Sequence, residues 1–483
     1  MAERADVVIA GARCAGAAAA ATLARAGRRV IAVDPARFPA TTVSTHLLFA
    51  GGVAELARVG ALDRVAKIGA PRLSRAFIGA PGHEADGSYT PIDGIDYGLC
   101  VRRAPLDEAL AETAAEAGAE IRQGHRVTGL IWEDGRVVGV RVRERSEGAR
   151  GDDGGQGGRA GAGAGARPEG DRGAGGGGGQ GDRGAGGGEG REYEIRAALV
   201  VGADGRRSTV ARLAGVEVPR ISHANGRACY YAYYDDPGPA WRSTAAMWLS
   251  GRELGNAFPC DGGLTLVLLM PPVERAVDFR GNLEAEFDRT VGLVPGLAAR
   301  LAGCVRQTRI VSSAEHPSYF RRSAGPGWAL IGDAGHFKDP VTAQGIRDAV
   351  RFGRLLGEQV AGVLDDPAAL DRATLAWERT RDAQCVHTYH WTNLLGRGDG
   401  LAYVQAELLR ALTAGPGGVR DVLDVYSRIR DPRETLALPG LLAATARALR
   451  GGAGARAAIA RAAGGALVEL AGHRAQARRL LPR

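Results

Sequence analysis

Three observations predict an α/β fold whose Rossmann-like nucleotide-binding domain is discontinuous in sequence. The chain opens on a strand–turn–helix–strand pattern with glycines in the turn. A second strand running into a glycine-aspartate loop, Trp328-Ala329-Leu330-Ile331-Gly332-Asp333-Ala334 with Pro340 and Gly345 beyond it, lies far downstream. Between the two, residues 216–310 turn aromatic and β-branched. Two such loops so far apart imply one large dinucleotide crossing a single site. The remaining sequence supplies a smaller β-sheet domain and a helical C-terminal region.

Taken in order, Val7, Val8 and Ile9 form the short apolar run of a buried parallel strand. Gly11, Ala12, Arg13, Cys14, Ala15 and Gly16 follow at once. An alanine-rich helix then runs to about Arg25, Gly27 closes it, and Val30, Ile31 and Val33 lead a second strand to Asp34. Gly11 permits a tight turn and Gly16 a close helix–strand approach. The helix start at Cys14 and Ala15 offers N–H groups to a pyrophosphate, and Asp34, with Pro35 and Arg37 in the loop after it, suits a ribose hydroxyl. Arg13 stands where the middle glycine of such turns usually sits. Either the backbone approaches the phosphate less closely there, or the guanidinium turns outward or adds charge. The turn alone leaves open whether NAD or FAD binds.

Later segments bear on that choice. Leu199, Val200 and Val201 form another buried strand, continued by Gly202-Ala203-Asp204-Gly205-Arg206-Arg207-Ser208, and Arg103 with Leu106 and Leu110 makes an R-x-x-L-x-x-x-L helix start. With these motifs in this order, the chain resembles the class A flavoprotein monooxygenases, the superfamily of para-hydroxybenzoate hydroxylase, over most of its length. The resemblance implies a Rossmann-like FAD-binding domain, with Asp204 near the flavin and Arg103 contacting FAD. It implies that Asp333, beside Gly332, holds the ribityl chain, that Pro340 lies beside the isoalloxazine, and that Gly345 and Ile346 start a helix facing its pyrimidine ring. Thr45 and Val127 complete the cofactor-binding set. The Gly11–Gly16 turn, the triplet Ser44-Thr45-His46 and Lys338-Asp339-Pro340 mark a subgroup that also resembles geranylgeranyl reductases and flavin-dependent halogenases.

The expected organisation places FAD-binding segments at 1–70, 98–146, 192–215 and 311–376. Residues 71–97 lend a strand to the substrate domain at 216–310, and residues 377–483 form the C-terminal helices. Residues 147–191 are glycine, alanine, arginine and acidic residues without periodicity; they cannot bury enough apolar surface to offset the entropy of ordering and are expected to be disordered. Val137–Val142 and Tyr193–Leu199 flank them as paired strands. In the substrate domain, Ala228–Tyr234, Ala245–Leu249 and Leu264–Met270 read as strands, and Leu283–Val291 as a helix. Tyr230, Tyr231, Tyr233 and Tyr234 alternate, so one pair faces the pocket or packs the sheet while the other meets solvent. The C-terminal tail caps the pocket, forms a dimer contact, or lies on a membrane surface.

At 483 residues and 45% hydrophobic, the chain supports more than one core. Six cysteines without C-x-x-C spacing read as buried thiols of a reducing, cytoplasmic setting and supply no metal site. No apolar run is long enough to span a bilayer, so stable membrane insertion is not expected. The net charge of +8 is spread along the chain and aromatics make up only 5%, which argues against nucleic acid.

By resemblance the expected enzyme is a monomeric or homodimeric monooxygenase in which NADPH or NADH reduces FAD and oxygen adds to form a flavin C4a-hydroperoxide. That species hydroxylates a small aromatic or polyketide-like substrate. His46 and His336, which ordinarily titrate near neutrality, and Lys338, one of two lysines in the chain, join Pro340 as the candidate catalytic residues. The alternatives are a geranylgeranyl-reductase-type enzyme, a halogenase, or a flavin-free binding protein of the same fold. A halogenase's W-x-W-x-I-P motif is missing, since Leu249 and Ser250 follow Trp248.

Overall fold

The computed structural model describes residues 3–40, 42, 44–145, 190–435, 438–451 and 455–481. The disorder expected for residues 147–191 therefore concerns a segment almost wholly outside the described residues. β1 (Glu3–Ala10) and β2 (Val30–Asp34) pair in parallel, with Val7 opposite Val30. Alternate β1 residues serve opposite faces: Val7 and Ile9 enter the core around α1 (Cys14–Arg25), while Val8 and Ala10 enter the core on the other side. That is why the run is apolar without alternation.

α2 (Arg103–Glu116) packs against α1 and leads into β3 (Glu120–Gln123), which extends the sheet beyond β2. β4 (Glu192–Gly202) lies on the other side of β1, Leu199 opposite Val7. It also pairs antiparallel with the strand Arg136–Glu144, with Glu192 opposite Arg143. The chain thus leaves and re-enters the sheet at neighbouring positions on either side of the glycine-rich segment.

β5 (Cys229–Asp235), β6 (Thr244–Ser250), β7 (Glu253–Pro259) and β8 (Leu264–Leu269) form a second sheet in the order β5-β8-β7-β6. The strand Arg75–Ala80 joins it by pairing in parallel with β6. β7 was not anticipated: Glu-Leu-Gly-Asn-Ala-Phe-Pro has no β-branched residue, yet every position is buried, so packing between β6 and β8 decides its conformation. Tyr231 faces the His46 side of this sheet, while Tyr230 and Tyr234 pack into the opposite core. There Tyr230 stacks on Phe279 at 3.8 Å, and Phe287 closes the layer. Neither tyrosine pair is left to solvent, because short helices cover the sheet's second face.

β9 (Trp328–Leu330) completes the first sheet parallel to β4. α3 (Gly345–Val360) crosses α1 closely, since a Cβ on Gly353 would lie 2.3 Å from the Ala15 carbonyl oxygen. α4 (Pro367–Leu395) starts at an Asp366 cap and runs 29 residues, followed by α5 (Leu401–Thr413), α6 (Val419–Tyr426), α7 (Leu438–Gly451) and α8 (Arg456–Leu480). Among the described residues no helix is long and apolar enough to cross a membrane.

Candidate functional site

The N-terminus of α1 is where distant loops meet. Ala203 N–H donates to the Ala10 carbonyl at 2.7 Å and Ile331 N–H to the Gly202 carbonyl at 2.8 Å, which ties the ends of β1, β4 and β9 together. Gly11 has φ +102°, and a Cβ there would fall 2.4 Å from the Ala203 carbonyl oxygen. Gly332, at φ +56°, would place its Cβ 2.8 Å from that of Ala15. Both glycines are required by close approach, and they bring the Asp333 loop to the open N–H groups of α1.

Asp34 is buried, with Ala12 N–H donating to Oδ2 and Ala36 N–H to Oδ1, each at 2.9 Å. Burial raises its pKa and these two donors oppose the rise. Arg37 is exposed beside Gly124, at the rim of the same region, and Pro35 is exposed before it. Burial also raises the Asp333 carboxyl, against the charges of Arg206 and Arg103. Among the described residues no hydrogen bond reaches that carboxylate.

Arg103 is held by Asp107, a fully buried carboxylate one turn on. Its Nη2 donates to both carboxylate oxygens, at 2.8 and 3.0 Å, in the forked geometry that suits a guanidinium. Cys14 Sγ donates to the same Asp107 at 3.2 Å, and Arg13 approaches it to 3.8 Å. Arg13 is thus turned inward, beside the phosphate-type turn, where it adds charge. Asp107 was missed from sequence, although its i+4 spacing from Arg103 is the available signal.

These features fit FAD. A glycine-cleared turn exposes helix N–H groups for a pyrophosphate, Asp34 is fixed at a strand end, and Asp333 has an uncommitted carboxylate. Gly345 opens α3 with no atom within 4 Å of the place a Cβ would occupy. Ile346 behind it is buried in the α1–α3 core.

Pro340 and Thr45 sit at one end of an apolar cavity of about 550 Å³ bordered by Phe49, Phe258 and Asn256. Met247, Val341, Val422 and Tyr426 also border a second lobe of about 670 Å³, which extends under α4, α5 and α6 to Trp391, Leu408 and Leu412. Of the three possibilities for the C-terminal tail, α5 and α6 therefore cap the pocket. His46 is buried at φ +63° with Nε2 sharing a 2.9 Å hydrogen bond with the Tyr233 hydroxyl, while its Nδ1 has no partner among the described residues.

Several expected roles need correction. Burial, helped by Arg103, lowers the His46 pKa to about 3, so it does not titrate near neutrality. His336 is lowered well below its usual value by burial and Lys338. Lys338 does not reach toward Pro340; its ammonium donates to His336 Nε2 at 2.6 Å and pairs with Asp348, behind the loop. Cys385 completes this buried cluster, whose His336, Asp348 and Cys385 ligand atoms lie within 4.8 Å of one another. With Lys338 against two of the three, the cluster is internally charge-compensated. Asp204 accepts from Ser208 Oγ and from Val210 N–H at 3.1 Å, at the start of the helix Thr209–Leu213. Val127 turns its side chain into the sheet's second core and leaves only backbone for a ligand.

A residue not singled out from sequence is Asp339, buried before Pro340. Its Oδ1 accepts from Val341 N–H at 3.0 Å, its Oδ2 has no hydrogen-bond partner among the described residues, and His316 Nε2 lies 3.7 Å from Oδ2. Burial pushes its pKa up to about 7.

Comparison with known proteins agrees with this geometry. Residues 4–152 match the FAD binding domain family. The digeranylgeranylglycerophospholipid reductase of Methanosarcina mazei is 28% identical over 285 residues, 55% of this chain and 54% of that protein, so the chain spans about half its length. The menaquinone reductase of Mycolicibacterium smegmatis is 28% identical over 76% of this chain and 79% of its own. Among solved structures, the flavin-dependent brominase Bmp2 aligns with TM-score 0.66 at 17% identity, over 88% of this chain and 93% of that one. PqsL, a probable FAD-dependent monooxygenase from Pseudomonas aeruginosa, aligns at 0.60 and 18%, over 84% and 97%. A turn that clears a pyrophosphate path, an aspartate brought to it from far downstream, and the domain match across the turn and Asp34 together mark residues 4–152 as an FAD binding domain, in a chain that shares its fold with a flavin-dependent brominase and a probable FAD-dependent monooxygenase.

Proposed function

We propose that the protein is a reductase that adds hydrogen across a carbon–carbon double bond of a long, uncharged, polyprenyl-type chain, with NADPH or NADH as hydride source. The two-lobed apolar cavity carries this reading. Among the described residues Arg227 is the one ionisable side chain with a formal charge at neutral pH along it, and its Nη1 donates to the carbonyls of Arg252 and Met270, at 2.8 and 2.7 Å. An apolar chain loses nothing by entering such a space, whereas a phenolate would give up water without gaining a fixed cation. The substrates named in the two reductase relatives carry polyprenyl groups or derive from them, which supports the same class.

Bound FAD supplies hydride relay between nicotinamide and substrate. The chain's own residues do the rest. Asp34, Arg103 and Asp333 bind and orient the cofactor, and Val341, Met247 and Tyr426 exclude water from the substrate path. Tyr233, whose hydroxyl stays protonated because burial raises its pKa, holds a proton against His46 Nε2.

The inner lobe favours a second reading. Phe49 and Phe258 with the polar groups of Thr45 and Asn256 suit an aromatic ring, as monooxygenation of an aromatic or polyketide-like substrate requires. One experiment separates the two. The reduced holoprotein is mixed with geranylgeraniol without oxygen, and with candidate phenols in air. Anaerobic flavin reoxidation with a product two hydrogens heavier is expected. A product heavier by one oxygen atom, formed only in air, transfers the assignment to the monooxygenase.

A further inference from the structure

We infer that α7 and α8 form a docking surface for an anionic phospholipid bilayer. The inner faces of both helices are accounted for: Ala444, Ala448, Ile459, Ala462 and Ala466 pack against Leu401, Val404 and Leu408 of α5. Their outer faces carry large apolar side chains that nothing among the described residues covers. Leu438 and Leu442 on α7 are 53% and 52% exposed, and Leu467 and Val468 on α8 are 41% and 75% exposed.

At 100° per residue, Gly464, Val468, Ala471 and Ala475 fall on one outward strip of α8, and all four are exposed. Arginines flank the strip: Arg461 and Arg479 on one side, Arg474 and Arg478 on the other. Together with Arg450 of α7, all five are exposed and have no acidic partner among the described residues. The one acidic residue in α7 and α8 is Glu469, and it is consumed by His223, Arg397 and His473.

An uncharged strip between unpaired arginines fits the boundary of an anionic membrane, where apolar side chains enter the interface and guanidinium groups meet phosphates. Two other occupants fit less well. A second copy of the same face would set arginine against arginine, and a nucleic acid has no use for exposed Leu442 and Val468. Leu408 joins the surface to the pocket, since it packs under α7 and α8 and also lines the outer lobe of the cavity. The surface stands apart from the proposed reduction, and its test reads binding rather than turnover.

The test is co-flotation of the full-length flavoprotein with vesicles of phosphatidylcholine alone and of equimolar phosphatidylcholine and phosphatidylglycerol. Binding to the anionic vesicles and weaker binding on adding salt are expected. The triple variant Arg474→Gln, Arg478→Gln, Arg479→Gln is expected to lower partitioning by about tenfold or more. Leu442→Asp with Val468→Asp, which leaves the arginines intact, is expected to lower it by a similar factor. Retained flavin absorbance shows that each variant is folded. Failure of the native protein to float, equal binding to neutral vesicles, unchanged flotation of either variant, or tighter binding to duplex DNA than to the vesicles would each overturn the inference. So would a dimer in gel filtration that the Asp variant dissolves.

Discussion

Asp107 shows how much one buried residue can organise. It holds Arg103, receives Cys14 and draws Arg13 inward, so the basic side of the cofactor site depends on a carboxylate that need not touch the ligand. Asp107→Asn would leave a buried guanidinium without its counter-charge, and a loss of about 3 kcal/mol in stability is expected. FAD affinity is expected to fall at least tenfold, read by flavin retained on gel filtration; undiminished affinity would show that Arg103 makes no contact with the cofactor. Asp339 is the pH-sensitive counterpart, facing His316, Arg227 and Cys229. Its folded pKa near 7 lies above the ordinary carboxylate value, so its contribution to stability is full below that ordinary value and is lost as pH rises through about 7. His316, lowered to about 4 by burial, acts in the opposite sense and at lower pH. The stability of Asp339→Asn relative to the native protein is therefore expected to grow by ~2 kcal/mol or more between about pH 5 and about pH 8. Equal thermal-midpoint differences at the two pH values would disprove this. The histidines teach the complementary lesson: His46 and His336 looked like neutral-pH proton carriers only while their burial was unknown.

At the scale of elements, what could be read in advance was whatever a short stretch of chain determines for itself. The β1–α1–β2 unit and the strands β5, β6 and β8 follow from apolar periodicity and glycine position. β7 did not, because apart from Phe258 its side chains have no strand preference and its neighbours hold it in place. The hairpin around the glycine-rich segment follows from the paired strands at its base, where Arg143 and Glu192 stand opposite each other. Replacing residues 147–189 by a short glycine-serine linker is accordingly expected to leave flavin content and thermal stability within about 0.5 kcal/mol of the native protein. A colourless or insoluble product would mean that the segment contributes to the fold.

For the molecule as a whole, the cavity is a property that no segment owns. Its walls come from the second sheet, the Pro340 loop and α4 to α6, and Met247 stands where the two lobes join. Met247→Trp is expected to lower kcat/KM for a polyprenyl substrate at least tenfold while leaving dithionite reduction of the flavin unchanged, since an added ring in a packed space costs ~1–3 kcal/mol. An unaltered rate with the long substrate would remove the outer lobe from its path. The sequence by itself determined the parallel sheet, the phosphate turn and the two loop aspartates, because strand periodicity, glycine sterics and helix N–H groups act over a few residues, while its FAD reading came from the resemblance carried by the later motifs. Only the tertiary structure decided that Lys338 points inward, that Asp107 anchors Arg103, that burial holds His46 and His336 neutral, and that the tail roofs an apolar channel. Burial and charge pairing depend on residues hundreds of positions apart, and their energies do not exist until the chain has folded.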